Sequence, residues 1–78
     1  MAKSIVQNNI RKLRFEASEM TQQELADEAR VSRQTIVAIE KGNYSPSLEL
    51  AYRLANIFKT PLEEVFTYDP KDDVPGKR

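Results

Sequence analysis

Apolar side chains recur at helical spacing in five stretches of the chain. Val6, Ile10, Leu13 and Ala17 fall on one face and predict a first helix from about Ile5 to Ala17. Leu25, Ala26 and Ala29 share a face in a second, about Gln22 to Ala29, and Ile36 and Ile39 do so in a third, about Arg33 to Lys41. Leu48, Ala51, Leu54, Ala55 and Phe58 make the stripe of a fourth, about Leu48 to Phe58, which Leu50 and Ile57 widen beyond what a small domain needs. Leu62, Val65 and Phe66 give a fifth, about Pro61 to Phe66, facing inward or toward a second subunit. The expected class is all-α, a compact five-helix bundle.

Polar residues punctuate these stripes. Thr21 followed by Glu24 is a capping box, and Met20 ahead of it serves as a hydrophobic staple or as core. Arg30 and Val31 break the period before Ser32, a second N-cap. Gly42 closes the third helix where a left-handed residue is usual. Pro46 ends any helical tendency before Ser47, which caps the fourth helix. Thr60-Pro61-Leu62-Glu63 reads as a helix start, with Thr60 as the cap, proline at the first position and an acid at the third. Residues 21 to 42 thus read as two short helices and a tight turn. Helices so short cross steeply only over a small residue, and Ala26 sits where the approach must be closest. Val31, Ile36 and Ile39 plug the joint from the other side. A plain two-helix hairpin shares the stripes but does not require Ala, the apolar turn residue and Gly together.

Composition narrows the chemistry. Seventy-eight residues make one domain, which buries only ~60% of its unfolded surface and needs efficient packing or a partner subunit. The chain has no Cys and no His, so the usual thiolate and imidazole nucleophiles, bases and metal ligands are missing. No acidic pair stands with a base, and no glycine-rich phosphate loop is present; neither an enzyme nor a metal or cofactor is expected. No apolar run reaches membrane-span length and Met1 to Val6 lack a signal-peptide core, so a cytoplasmic protein is expected. Residues 1 to 4 are expected to fray. From Asp69 onward, two Pro, one Gly and six charges in ten residues read as a disordered tail, leaving a folded domain over 1–68.

The words Thr21-Gln22-Gln23-Glu24-Leu25-Ala26, Val31-Ser32-Arg33-Gln34-Thr35-Ile36, Ala38-Ile39-Glu40-Lys41-Gly42 and Tyr44-Ser45-Pro46-Ser47-Leu48-Glu49-Leu50-Ala51 stand in this order. Together they resemble the helix-turn-helix of lambda-repressor/Cro (XRE) regulators, from about Ile10 to Tyr68, and most closely the short single-domain members. The resemblance implies a sequence-specific DNA-binding transcriptional regulator, most simply a repressor. It implies that Arg14 pairs with Glu40 and that Gln22 grips a backbone phosphate. Such regulators usually carry Gly in the turn after helix 2 and often after helix 4. Here Arg30 and Lys59 hold those places, so Arg30 either bears strain of ~1 kcal/mol at positive φ, sits in a slightly altered turn, or offers a phosphate contact.

A helix of this size fits the DNA major groove and reads base edges near its N-terminus. On the third helix Arg33, Gln34, Val37, Ala38 and Lys41 lie opposite Ile36 and Ile39. Arg33 suits guanine O6 and N7, and Gln34 suits adenine N6 and N7. Val37 and Ala38 meet a thymine methyl or are idle surface. Thr35, Lys41, Asn43 and Tyr44 join Gln22 as phosphate candidates, with Tyr44 equally placed to pack over the fourth helix. Arg11 and Lys12 read as a solvated face. One domain covers about half a site, so an operator with two half-sites calls for a homodimer, with Leu50, Ile57, Phe66 or Tyr68 at its interface or all four in the monomer core. No small-molecule ligand is expected.

One property opposes this reading: twelve basic and twelve acidic residues cancel, whereas nucleic-acid modules are usually basic. The two readings divide on whether charge is sorted by face, with Arg33 and Lys41 on one side and Asp27, Glu28, Glu63 and Glu64 elsewhere. Two alternatives stay open. One is an antitoxin that also binds DNA, disfavoured by a short tail without amphipathic pattern. The other is a protein-interaction module on the same fold.

Overall fold

The computed structural model describes residues 5–73. Strand β1 (Val6–Asn8) leads into helices α1 (Ile10–Glu16), α2 (Gln22–Ala29), α3 (Arg33–Glu40), α4 (Leu48–Ile57) and α5 (Leu62–Val65). Strand β2 (Phe66–Tyr68) follows, then a 3-10 turn over Pro70–Asp72. The five-helix bundle is as expected; α2 packs on both α3 and α4, and α4 on α5. Ile10, Leu25, Ile36, Ile39, Leu54 and Val65 are the large side chains sealed from solvent. Each is worth ~1.5–3 kcal/mol by burial. Among the described residues no buried side-chain nitrogen or oxygen lacks a hydrogen-bond partner.

The caps at Thr21, Ser32 and Ser47 form where the polar punctuation placed them, but Thr60 does not cap α5: its hydroxyl donates to the Phe58 carbonyl, and Pro61 stands at the N-cap with no side-chain bond. Thr21 Oγ1 accepts from the Glu24 amide and the Glu24 carboxylate accepts from the Thr21 amide, which completes the box. Ser32 and Ser47 accept from the Thr35 and Leu50 amides at the starts of α3 and α4. Three helices stop alike. Arg30, Gly42 and Lys59 take φ values of 63°, 78° and 52°. The following amides of Val31, Asn43 and Thr60 then reach back to Ala26, Ala38 and Ala55 carbonyls at 3.0 Å. The αL geometry satisfies carbonyls that a helix end otherwise leaves open. Arg30 therefore keeps the left-handed conformation of the glycine it stands in for. Arg53 adds a lock by donating to the Ala29 carbonyl at 2.9 Å.

Both ends of the bundle differ from the periodicity. The first helix does not begin near Ile5: Val6 pairs with Tyr68, and Asn8 with Phe66, in an antiparallel two-stranded sheet. Asn8 and Asn9 divert the backbone. Asn8 Oδ1 accepts from the Ile10 amide, Asn8 Nδ2 donates to the Ile39 carbonyl at 2.8 Å, and Asn9 Nδ2 donates to Glu64 O. Such side chains compete with helix formation and favour its boundary. The fifth helix likewise ends at Val65, not Phe66, because Phe66-Thr67-Tyr68 suits a pleated strand and finds β1 as partner. Ala17 is an exposed cap instead of core.

Residues 69–73 are also more regular than a disordered tail. Asp69 caps the 3-10 turn by accepting from the Lys71 amide, and the Tyr68 hydroxyl donates to Asp73 at 2.9 Å. That hydrogen bond, with the nearby charges of Asp73 and Asp69, holds the Tyr68 phenol above its ordinary pKa. The expected fraying of residues 1–4 and the tail over 74–78 lie outside the described residues.

Candidate nucleic-acid interface

α3 buries one side and offers the other. Ile36 and Ile39 are sealed in the core, while Arg33 and Gln34 are exposed beside the N-terminus of the helix. Val37 and Ala38 are half-buried, and Lys41 is exposed at the C-cap. Guanidinium, carboxamide, two small apolar groups and an ammonium thus follow one another along the surface away from the core.

The far end of α3 is fixed by side chains from other elements. Arg14 Nε and Nη2 donate to Glu40, and Nη1 donates to the Met20 carbonyl at 2.8 Å. Gln22 Nε2 donates to Glu40 Oε1 at 3.2 Å, and its Oε1 accepts loosely from Arg33 at 3.4 Å. The expected Arg14–Glu40 pair is therefore present, with the side chains only 15% and 9% exposed. Gln22, expected as a phosphate ligand, is also a structural link between the two ends of α3. Met20 is half-buried and packs against the core.

Charge is sorted by face. A cleft of about 660 Å³ between α1 and the α2–α3 pair is lined by Arg11, Arg14, Arg33 and Lys41 against Glu19 and Glu40. Glu40 is already engaged by Arg14. A second cleft holds Glu24, Asp27 and Glu28 with no basic residue. Zero net charge thus conceals a basic groove beside α3 and an acidic one on the opposite part of α2. Arg11, read from the sequence as solvated, lines the basic cleft. Its position at helical phase with Arg14 was the available signal.

The remaining candidates divide. The Thr35 hydroxyl lies 3.0 Å from that of Ser32 in the first turn of α3. Asn43 is half-buried in the loop after α3, and Tyr44 is 47% exposed. Of the dimer candidates, Leu50 is corrected: it is 6% exposed and belongs to the core, because it turns inward beside Ala51 and Leu54. Ile57 and Phe66 are half-buried and packed on the core, and Tyr68 is exposed. Among the described residues no group of His, Cys, Asp and Glu side chains could hold a metal ion, and no helix is long and apolar enough to cross a membrane.

A tightly crossed helix pair with a wet polar face and a basic cleft at its side defines a helix-turn-helix module. Comparison with known proteins agrees. The helix-turn-helix family model matches residues 10–65. An HTH-type transcriptional regulator of Archaeoglobus fulgidus is 49% identical over 53 residues, 68% of this chain and 75% of its own. One from Methanocaldococcus jannaschii is 52% identical over 50 residues, 64% of this chain and 76% of its own. The cryptic phage CTXphi transcriptional repressor RstR of Vibrio cholerae is 38% identical over 58 residues, covering 74% of this chain and 51% of that protein. This chain belongs to the helix-turn-helix family of DNA-binding transcriptional regulators of the lambda-repressor/Cro type, which is not a family of enzymes.

Proposed function

We propose that this protein is a cytoplasmic repressor that recognises a specific operator by inserting α3 in the major groove. The observation that carries the reading is the exposed Arg33–Gln34 pair at the start of a helix anchored by Ile36 and Ile39. Arg33 reads guanine and Gln34 reads adenine, each contact discriminating by ~1–3 kcal/mol. Val37 and Ala38 meet thymine methyl groups. Gln22, Thr35, Lys41, Asn43 and Tyr44 hold phosphates, which orient the domain without reading sequence. The likeness to a phage repressor supports repression over activation.

Two copies act together on half-sites spaced by one helical turn, ~34 Å. The second copy sits at the groove of about 500 Å³ lined by Val6, Leu62, Phe66 and Tyr68. This keeps Phe66 and Tyr68 as interface residues, while Ile57 packs against the core and Leu50 lies within it. Residues 1–68 form the DNA-binding unit.

Selection of bound duplexes from a random pool tests the proposal. The expected outcome is a two-fold symmetric consensus with half-sites one turn apart. Recovery of unselected sequence would overturn specific recognition, and a single asymmetric half-site would overturn the dimer.

A further inference from the structure

α1 contributes a cation that neither the core nor the Arg14–Glu40 network uses. Arg11 is exposed and lines the basic cleft from the α1 wall, while Gln22, Arg33 and Lys41 line it from α2 and α3. Among the described residues its guanidinium makes no hydrogen bond or ion pair. Glu40 is taken by Arg14 and Gln22, so Glu19 is the acid left to balance three cations around one opening. Cations held close without counter-charge repel one another, and an anion entering between them relieves that repulsion.

We infer that Arg11 is a DNA-backbone contact, a positioning residue that extends the interface from the helix pair onto α1. The inference rests on the duplex reading above. Arg33 and Val37 both lie on α3 and on the rim of this cleft. With α3 seated in the major groove, the strand bordering the groove on that side runs across the opening. Its phosphate then meets Gln22 and Lys41 on one wall and Arg11 on the other. The planar guanidinium suits a phosphate, to which it donates two parallel hydrogen bonds. Lys12, the next residue, is exposed on the same helix but does not line this cleft; it borders only a neighbouring hollow with Asn9 and Phe15, which Arg11 also touches. It provides an internal control of equal charge.

The experiment titrates the full chain with a mixed-sequence DNA duplex spanning two helical turns, followed by fluorescence anisotropy at several salt concentrations. Each phosphate contact contributes ~0.9 to the slope of log affinity on log salt. Arg11→Gln is expected to lower that slope by ~0.9, so its deficit against the parent shrinks about 3.5-fold between about 50 and 200 mM salt. Lys12→Gln is expected to keep the parental slope, and both variants to keep the parental melting temperature. An unchanged slope in Arg11→Gln, or equal changes in the two variants, would overturn the assignment while leaving the duplex reading intact. Failure of the parent chain to bind the duplex at any salt would overturn both together.

Discussion

The Arg14 guanidinium binds Glu40 through two hydrogen bonds, Nε to Oε2 at 2.6 Å and Nη2 to Oε1 at 3.1 Å, and so ties α1 to the last residue of α3. Removal of one partner from such a shielded pair leaves an uncompensated charge. Glu40→Ala is expected to cost about 3 kcal/mol, which in a domain of this size is a fall in melting temperature of roughly 12 to 24 °C. Glu40→Gln, which retains an acceptor, is expected to lose less. A thermal melt followed by circular dichroism measures both, and an unchanged curve for Glu40→Ala would remove the pair from the account of stability.

Arg33 and Gln22 touch each other loosely yet are assigned different work. Arg33→Ala is expected to relax preference at one base pair in each half-site, worth ~1–3 kcal/mol. Gln22→Ala is expected to weaken binding to all sequences about equally. Affinities for a panel of single-base operator variants separate the two. Uniform loss in Arg33→Ala, or an altered consensus in Gln22→Ala, would contradict these roles.

Arg30 sits at φ 63° and ψ 40°, a conformation in which its Cβ crowds the backbone. Glycine escapes that crowding but gains freedom in the unfolded chain. Relief is expected to dominate, so Arg30→Gly gains about 0.5–1 kcal/mol and raises the melting temperature by several degrees. Arg30→Val, branched at Cβ, is expected to lower it. Chemical denaturation of both variants checks the signs.

Asn8 is held to two groups at once, accepting from the Ile10 amide and donating to the Ile39 carbonyl. Asn8→Ala takes the partner from the Ile10 amide and leaves the Ile39 carbonyl with the Gly42 amide alone, and is expected to cost about 1–3 kcal/mol. Amide hydrogen exchange locates the damage: protection should fall first at β1 and at the start of α1. Loss confined to the α4–α5 region would show that Asn8 does not organise this junction.

The middle of the chain was legible because its signals are local. A capping box at Thr21 and Glu24, a serine cap at Ser32 and a glycine stop at Gly42 each act within one helical turn. A side chain standing where glycine is usual left two conformations open for Arg30, and its φ of 63° is the left-handed one. The two ends were not legible, because Val6, Ile10 and Leu13 satisfy helical spacing although the first lies in a strand. What decides the matter is the partner strand Phe66–Tyr68, far along the chain and invisible to any short window. The stripe of α4 was misplaced at its start: Leu48, expected in the core, is 68% exposed, while Leu50 is buried with Ala51 and Leu54, because the buried arc is turned toward Leu50. Arg11 is exposed, as its solvated reading expects, but its place on a basic groove could not be read, because that groove exists only once α1 is laid beside α2 and α3.

The recognition helix is held like a beam built into a wall at one end. Asn8, Arg14 and Gln22 fasten Ile39 and Glu40, while the opposite end projects Arg33 and Gln34 into solvent. If α3 enters a duplex as proposed, the helix is already fastened for that task, and the ordering cost falls on a few outer side chains. Altered target preference is thus reachable by exchanging those projecting groups, with the mounting left untouched.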